Sequence, residues 1–224
     1  MVEYTLTRAN RKSIAITVKG SLVKVRAPFF SSLEAINDFV SSKEEWITEK
    51  LADGKEKAAK RKDFSLNYGS QITYRGNLYT IQERHGTRGY LDDTSFYIPP
   101  NLTPEQIKRC CIDFYKKDAE MYFEERACVY IERMVVLPKA LKINNAKKRW
   151  GSCSAKKVIN FSWRLLMADD DVIDYIIVHE LAHLIEFNHS ARFWAIVERY
   201  IPDYKYLQKR LRVLERKLRC EDWD

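Results

Sequence analysis

The sequence predicts an α+β chain, and three observations carry that prediction. Residues 1–30 alternate apolar and polar side chains with a period of two, as strands do. Residues 64–98 return to the same alternation around Gly76-Asn77. From Thr103 onward apolar residues recur mostly at helical spacing, interrupted by one set of short strand-like runs.

In chain order, "YTLTR" and "SIAITVKGSLVKVRAP" read as strands, with "KGS" turning the second run into an antiparallel hairpin. "SSLEAINDFVSSKEEWITEKLADG" reads as one helix. Ser31 and Glu34 have the spacing of a capping box, and Leu33, Ile36, Val40, Ile47 and Leu51 form an apolar stripe. "SQITYRGNLYTIQER" is a second hairpin, split at Gly76-Asn77. Pro99, Pro100 and Pro104 interrupt any continuing element. They set the predicted domain organisation: residues 1–100 as an N-terminal β-rich region with one helix, packed on a core formed by residues 101–224. Thr103, Pro104 and Gln106 suit the N-cap, first position and capping-box partner of a helix running to about Met134, with Ile107, Cys111, Phe114, Tyr122 and Ile131 inward. Pro138 ends it. "LKINNAKKRWGSCSAKKVINFSWRLL" reads as two or three short strands. "ADDDVIDYIIVHELAHLIEF" is a helix with aspartates where the macrodipole favours negative charge. Two further helices follow, separated by Pro202.

The chain has 224 residues, of which 46% are apolar and 31% charged, enough to bury a sizeable core. Its first sixteen residues lack the apolar run of a secretory leader, and no apolar run approaches a membrane span. The five cysteines are odd in number and form no C-x-x-C pair, which favours reduced thiols and a cytoplasmic location. The net charge of +8 favours anionic partners, with basic clusters at 55–62, 147–149 and 205–219. No nucleic-acid-binding signature accompanies them, so nucleic acid is an expectation from charge alone, and solvated helix faces explain the clusters as simply.

Three of the four histidines lie in "HELAHLIEFNH". Residues four apart share one helical face, so His179 and His183 can both point at one metal ion. Glu180 lies about 100° round from His179, beside the ion and not on it. Two neutral imidazoles and an adjacent carboxylate are what a zinc hydrolase requires: the ion acidifies water and the carboxylate takes its proton. A catalytic zinc takes a third protein ligand. His189 is the favoured candidate, brought back by a reversal at Asn188 in left-handed conformation, with Ser190 capping the next helix. Glu198 on that next helix and Glu186 one turn past His183 remain alternatives. The fourth histidine, His85, sits in "QERHGTRG" and reads as a surface residue.

At these residues the chain resembles a known family. "RWGSCS" (149–154), "INFSWRLL" (159–166), "VIDYIIVHELAHL" (172–184) and "NHSARFW" (188–194) together resemble the YgjP-like metallopeptidases, relatives of the SprT-like zinc peptidases. The resemblance implies a zincin-like metallopeptidase core at 101–224, its site helix lying against a short antiparallel sheet that carries "RWGSCS". It implies zinc, or another divalent metal, on His179, His183 and His189, with Glu180 as the catalytic carboxylate. The chain departs from the family pattern in two places: Ser162 stands where asparagine is common, and Asp169 and Asp170 stand where proline precedes the helix. Trp150 and Trp163 read as packing, Ser152 and Cys153 as cleft lining. Arg149, Arg164 and Tyr175 are candidates for oxyanion stabilisation by chemical type, with Arg164 equally suited to pair with Asp174.

The function expected is a zinc-dependent hydrolase of peptidase type. Two alternatives use other chemistry or none: a metal-dependent phosphoanhydride hydrolase acting on nucleotides at the same site, and a nucleic-acid-associated module or protease. Against the first, the chain has seven glycines and no phosphate-cradling G-x-x-x-x-G-K.

Overall fold

The computed structural model describes residues 2–86 and 89–223. It divides into two compact units: residues up to Phe64 together with Arg219–Asp222, and Ser65–Leu218 with Trp223.

The first unit holds β1 (Thr5–Ala9), β2 (Ala15–Lys19) and β3 (Leu22–Pro28), then helices α1 (Leu33–Ser41) and α2 (Glu44–Asp63). β3 is central, antiparallel to β2 and parallel to β1. Its alternation is strict: Val23, Val25 and Ala27 are buried while Leu22, Lys24 and Arg26 face out. Ile36, Val40 and Ile47 complete that core. The predicted single helix is two, broken at Ser42-Lys43. Its cap is Ser32 instead of Ser31, with the Ser32 hydroxyl accepting from the Ala35 amide at 3.1 Å. The basic 55–62 cluster lies on α2, where Lys57 and Lys60 pair one turn back with Asp53 and Glu56 on the solvated face.

The second unit opens with β4 (Gln71–Tyr74), β5 (Asn77–Glu83), β6 (Tyr90–Leu91) and β7 (Ser95–Ile98), ordered β4-β5-β7-β6. The β4–β5 turn is Arg75-Gly76, one residue earlier than predicted, because Tyr74 pairs with Asn77. Both turn residues have positive φ, 48° and 76°, the geometry a two-residue hairpin loop requires. Helix α3 (Pro104–Met134) starts with the predicted capping box and ends at Val135 in left-handed conformation. Its buried stripe repeats every fourth residue through Cys111, Tyr115, Ala119 and Phe123. Of the expected inward set, Ile107 and Cys111 are buried, whereas Phe114, Tyr122 and Ile131 flank the stripe half-buried.

The division of the chain therefore falls at Phe64/Ser65 instead of near residue 100. The prolines form an elbow inside one unit. Phe96 of β7 packs on Phe114 of α3 with ring centroids 4.9 Å apart. The Tyr68 hydroxyl donates to the Pro99 carbonyl and accepts from the Leu102 amide, tying both sides of the elbow.

Beyond α3 comes a second small sheet, β8 (Ala140–Asn144), β9 (Gly151–Cys153) and β10 (Val158–Ser162), ordered β8-β10-β9. It is mixed, not antiparallel throughout: β9 and β10 form a hairpin, while β8 enters on the far side of β10 and runs parallel to it. A 3-10 turn, Trp163–Met167, leads into α4 (Asp170–Ala182), followed by α5 (Ala191–Tyr200) and α6 (Tyr204–Leu218). Trp163 is fully buried and stacks on Tyr115 at 5.5 Å. Arg164 is buried too, donating to Asn145 and to the Trp223 carbonyl. It does not pair with Asp174, which Arg126 and Tyr130 occupy instead.

No helix among the described residues is long and apolar enough to cross a membrane.

Candidate active site

Helix α4 is buried on nearly every side. Val172, Ile173, Ile176, Ile177, Val178, Leu181 and Ala182 all lie in the core. Leu184 and Ile185 fall beyond its end, and Ile185 is exposed. A polar group on such a helix loses its water, so each one must find a partner or serve another purpose.

The helix ends at Ala182, with His183 as its C-cap. The next turn tightens: the Leu184 amide bonds the Leu181 carbonyl, and the Ile185 and Glu186 amides bond that of Ala182. The Ser190 amide then closes on the Asn188 carbonyl at 2.7 Å. Asn188 is not among the residues with positive φ. The reversal is spread over several residues, and no single left-handed residue is needed. Ser190 caps α5 as expected, its hydroxyl accepting from the Phe193 amide.

This reversal brings the three histidines together. One ring nitrogen from each of His179, His183 and His189 lies within 4.8 Å of the others. The His179 and His189 Nε2 atoms are 3.1 Å apart. Nitrogens sharing one tetrahedral zinc at about 2.0–2.1 Å would stand roughly 3.3–3.4 Å apart, so the His179–His189 spacing is close to that of such an ion. His183 Nδ1 lies 3.3 Å from the Glu186 carbonyl oxygen, which suits a donated N–H and leaves Nε2 with its lone pair free. Burial, followed by the neighbouring His183 and His189, pushes the His179 pKa down to about 3, and burial lowers that of His183. Both imidazoles are therefore held neutral, the form that binds metal. Neither Glu186 nor Glu198 joins the cluster: Glu186 pairs with Arg192, and Glu198 is exposed on α5. His85 and Cys153 also lie outside it, and His85 is exposed.

Glu180 is buried, and among the described residues its Oε2 has no hydrogen-bond partner. Burial pushes its pKa up to about 7, against a smaller opposing effect of Arg149. The carboxyl rests on the backbone of β9. A side chain at Gly151 would sit 2.5 Å from both Glu180 Cγ and Oε1, so only glycine leaves the carboxyl its place. Sequence reasoning assigns Gly151 no role, although an interior strand glycine is itself a sign of close approach.

An aromatic wall backs the histidines, and sequence reasoning missed it as well. Phe193 meets all three imidazole rings at 4.6–4.9 Å. Trp194 stacks on His189 at 5.7 Å and on Tyr204 of α6 at 5.2 Å, and Tyr204 stacks on Tyr175. Tyr175 stands edge-on to His179, its hydroxyl accepting from Gln208. Of the oxyanion candidates, Tyr175 thus adjoins the cluster, Arg149 lies exposed two residues before Gly151, and Arg164 is committed to Asn145 and Trp223. Ser152 and Cys153 are half-buried on β9.

No curated protein matches the chain. Among solved structures it is similar to the crystal structure of the metallopeptidase zymogen of Pyrococcus abyssi abylysin, at 25% identity over 40% of this chain and 90% of that one, with a TM-score of 0.37. The family model described as YgjP-like, metallopeptidase domain, matches residues 12–213, nearly the whole length, and the chain belongs to that family.

Proposed function

We propose that this metallopeptidase is a zinc-dependent peptidase of zincin type, with His179, His183 and His189 as metal ligands and Glu180 as general base and acid. The observation that carries the reading is the meeting of two features at the C-terminal end of α4: three convergent imidazole nitrogens, the third supplied by the reversal that follows, and beside them a carboxyl with an oxygen unpartnered among the described residues. Three imidazoles suit zinc better than magnesium or calcium, which prefer oxygen.

A zinc ion bound there supplies Lewis acidity, which acidifies water and polarises a carbonyl. The chain's own groups do the rest. Glu180 accepts a proton from the attacking water at its carboxylate and returns it to the departing amine. A pKa near 7 suits both directions of that transfer. His183 is oriented through Nδ1 by the Glu186 carbonyl. Phe193 and Trp194 pack against the imidazole rings and limit their rotation. Tyr175, whose ring stands edge-on to His179, is the candidate to steady a developing negative charge through its hydroxyl hydrogen.

The test is metal analysis coupled to a substrate screen. The purified protein should carry one zinc per chain and cleave peptides, with nucleoside triphosphates assayed in parallel for the phosphoanhydride alternative. Glu180→Gln should keep the zinc and lower kcat by roughly 100- to 10,000-fold. His189→Ala should lose zinc to a chelator far faster than the parent. A Glu180→Gln variant with full turnover would refute the assigned role.

A further inference from the structure

The basic run at 147–149 belongs to a larger pattern. Between Glu132 and Asp169 the chain contains no aspartate or glutamate. The same stretch builds the whole β8-β10-β9 sheet and presents seven exposed cations. Lys139 and Lys142 belong to β8 and its approach. Lys147, Lys148 and Arg149 form the loop entering β9, and Lys156 and Lys157 form the turn leaving it. Apart from Lys147, none of these side chains has a hydrogen bond or ion pair among the described residues. This differs from the basic helix α2, whose Lys57 and Lys60 have acids one turn away.

The location matters as much as the charge. β9 is an outer strand only three residues long, so its two flanking clusters lie close together. Gly151, at its start, touches the Glu180 carboxyl. The 148–149 pair therefore lies two to three residues before the glycine that touches the candidate base, and the 156–157 pair beyond the other end of the same strand. A run of cations with no acid in its own stretch of chain concentrates oppositely charged ligands around it.

We propose that this face is the docking surface for an acidic segment of the polypeptide substrate, rich in aspartate or glutamate beside the bond to be cut. The proposal rests on the peptidase reading and adds a substrate class to it. A polypeptide is favoured over a nucleic acid because the cations flank a strand beside the catalytic carboxyl, and no helix N-terminus or glycine-rich loop accompanies them to cradle phosphate. The lysines bring a substrate in and register it. They take no part in bond cleavage.

The experiment has two arms on the zinc-loaded full chain. In the first, kcat/KM is measured for a neutral peptide and for the same peptide with three glutamates added on one side. The acidic peptide should be cleaved roughly tenfold more efficiently at low salt, through KM, and the advantage should shrink by 0.5 M salt. Lys148→Glu combined with Lys156→Glu should abolish or invert the preference and leave the neutral peptide unaffected. Equal kcat/KM for the two peptides, or a preference untouched by the double substitution, overturns the proposal. The second arm measures binding of the labelled acidic peptide and of a single-stranded oligonucleotide to Glu180→Gln protein by fluorescence anisotropy. Lysine-dependent peptide binding without cleavage by the parent would retain the surface and refute the peptidase reading. Tighter lysine-dependent binding of the oligonucleotide would reassign the face to nucleic acid and overturn the proposal.

Discussion

The two ends of helix α4 obey opposite rules. At the N-terminal end every acid is satisfied. Asp170 accepts from Arg75 and from the Tyr122 hydroxyl, Asp174 from two Arg126 nitrogens and Tyr130, and Asp169 pairs with Arg210. Five and six residues beyond Asp174, the polar groups are incompletely paired: among the described residues His179 Nδ1 and Glu180 Oε2 have no hydrogen-bond partner. Asp174 and Glu180 are equally buried, at 6% exposure each, so burial alone cannot explain the difference. Buried polar groups that serve structure are paired because an unpaired one costs stability; those left unpaired are retained for another use. On the proposed reading, the paired end anchors the helix and the unpaired end holds the reactive groups in a fixed position.

If the unpaired end is tuned by position, the largest effect should follow from moving the carboxyl without changing it. Gly151→Val places a branched side chain where Glu180 now lies. With the histidines untouched, zinc content should stay at the parental level while kcat/KM falls about 100-fold or more, as expected for a displacement near 1 Å. Parental activity would mean that the contact with β9 does not position Glu180.

Much of this contrast is legible in sequence, and the part that is not has a physical cause. The helical spacing of His179 and His183 is local, so residue order alone predicts it. The capping residues Thr103 and Ser190 are local as well. His189 can be anticipated from sequence as a third partner, but the reversal that delivers it uses tightened backbone turns instead of a left-handed Asn188, and no side-chain type marks such turns. Gly151 against Glu180 joins a strand to a helix and depends on sheet packing. The pairing of Asp174 with Arg126 spans 48 residues. The unit boundary at Phe64/Ser65 is hidden from the sequence for a related reason: prolines mark the end of an element, but whether the next element packs back on the last is decided by long-range contacts such as Phe96 with Phe114.

The next effect concerns the cost of keeping Glu180 in place, and it can be read in the metal-free protein. Its pKa is about 7 when folded, against 4.5 for the ordinary side chain, so the folded chain retains a proton that the unfolded chain releases. This contribution is fully present below pH 4.5 and is lost as pH rises through 7. Glu180→Gln cannot ionise. The variant should match the parent near pH 4.5 and exceed it at pH 8 by on the order of 2–3 kcal/mol, measured by urea unfolding. His179, whose depressed pKa makes stability fall as pH drops below 6.5, is present in both proteins and cancels in the difference. Stability differences independent of pH would show that the carboxyl is better solvated than its position implies.

The smallest of the three effects tests the paired end. Asp174→Ala removes the acceptor shared by Arg126 and Tyr130. The Arg126 side chain is 39% exposed and can regain water, so the loss is less than for a fully buried pair. About 2 kcal/mol is expected, most of it from the buried Tyr130 hydroxyl and the lost bidentate contact, which lowers Tm by roughly 4–8 °C. Zinc content and the KM of the folded fraction should not change, because the substitution lies more than one turn from His179 and touches none of the site residues. A variant that kept its Tm but lost its metal would invert the division of labour along α4, placing the acids in the service of the site and leaving the helix to be anchored by its apolar surface alone.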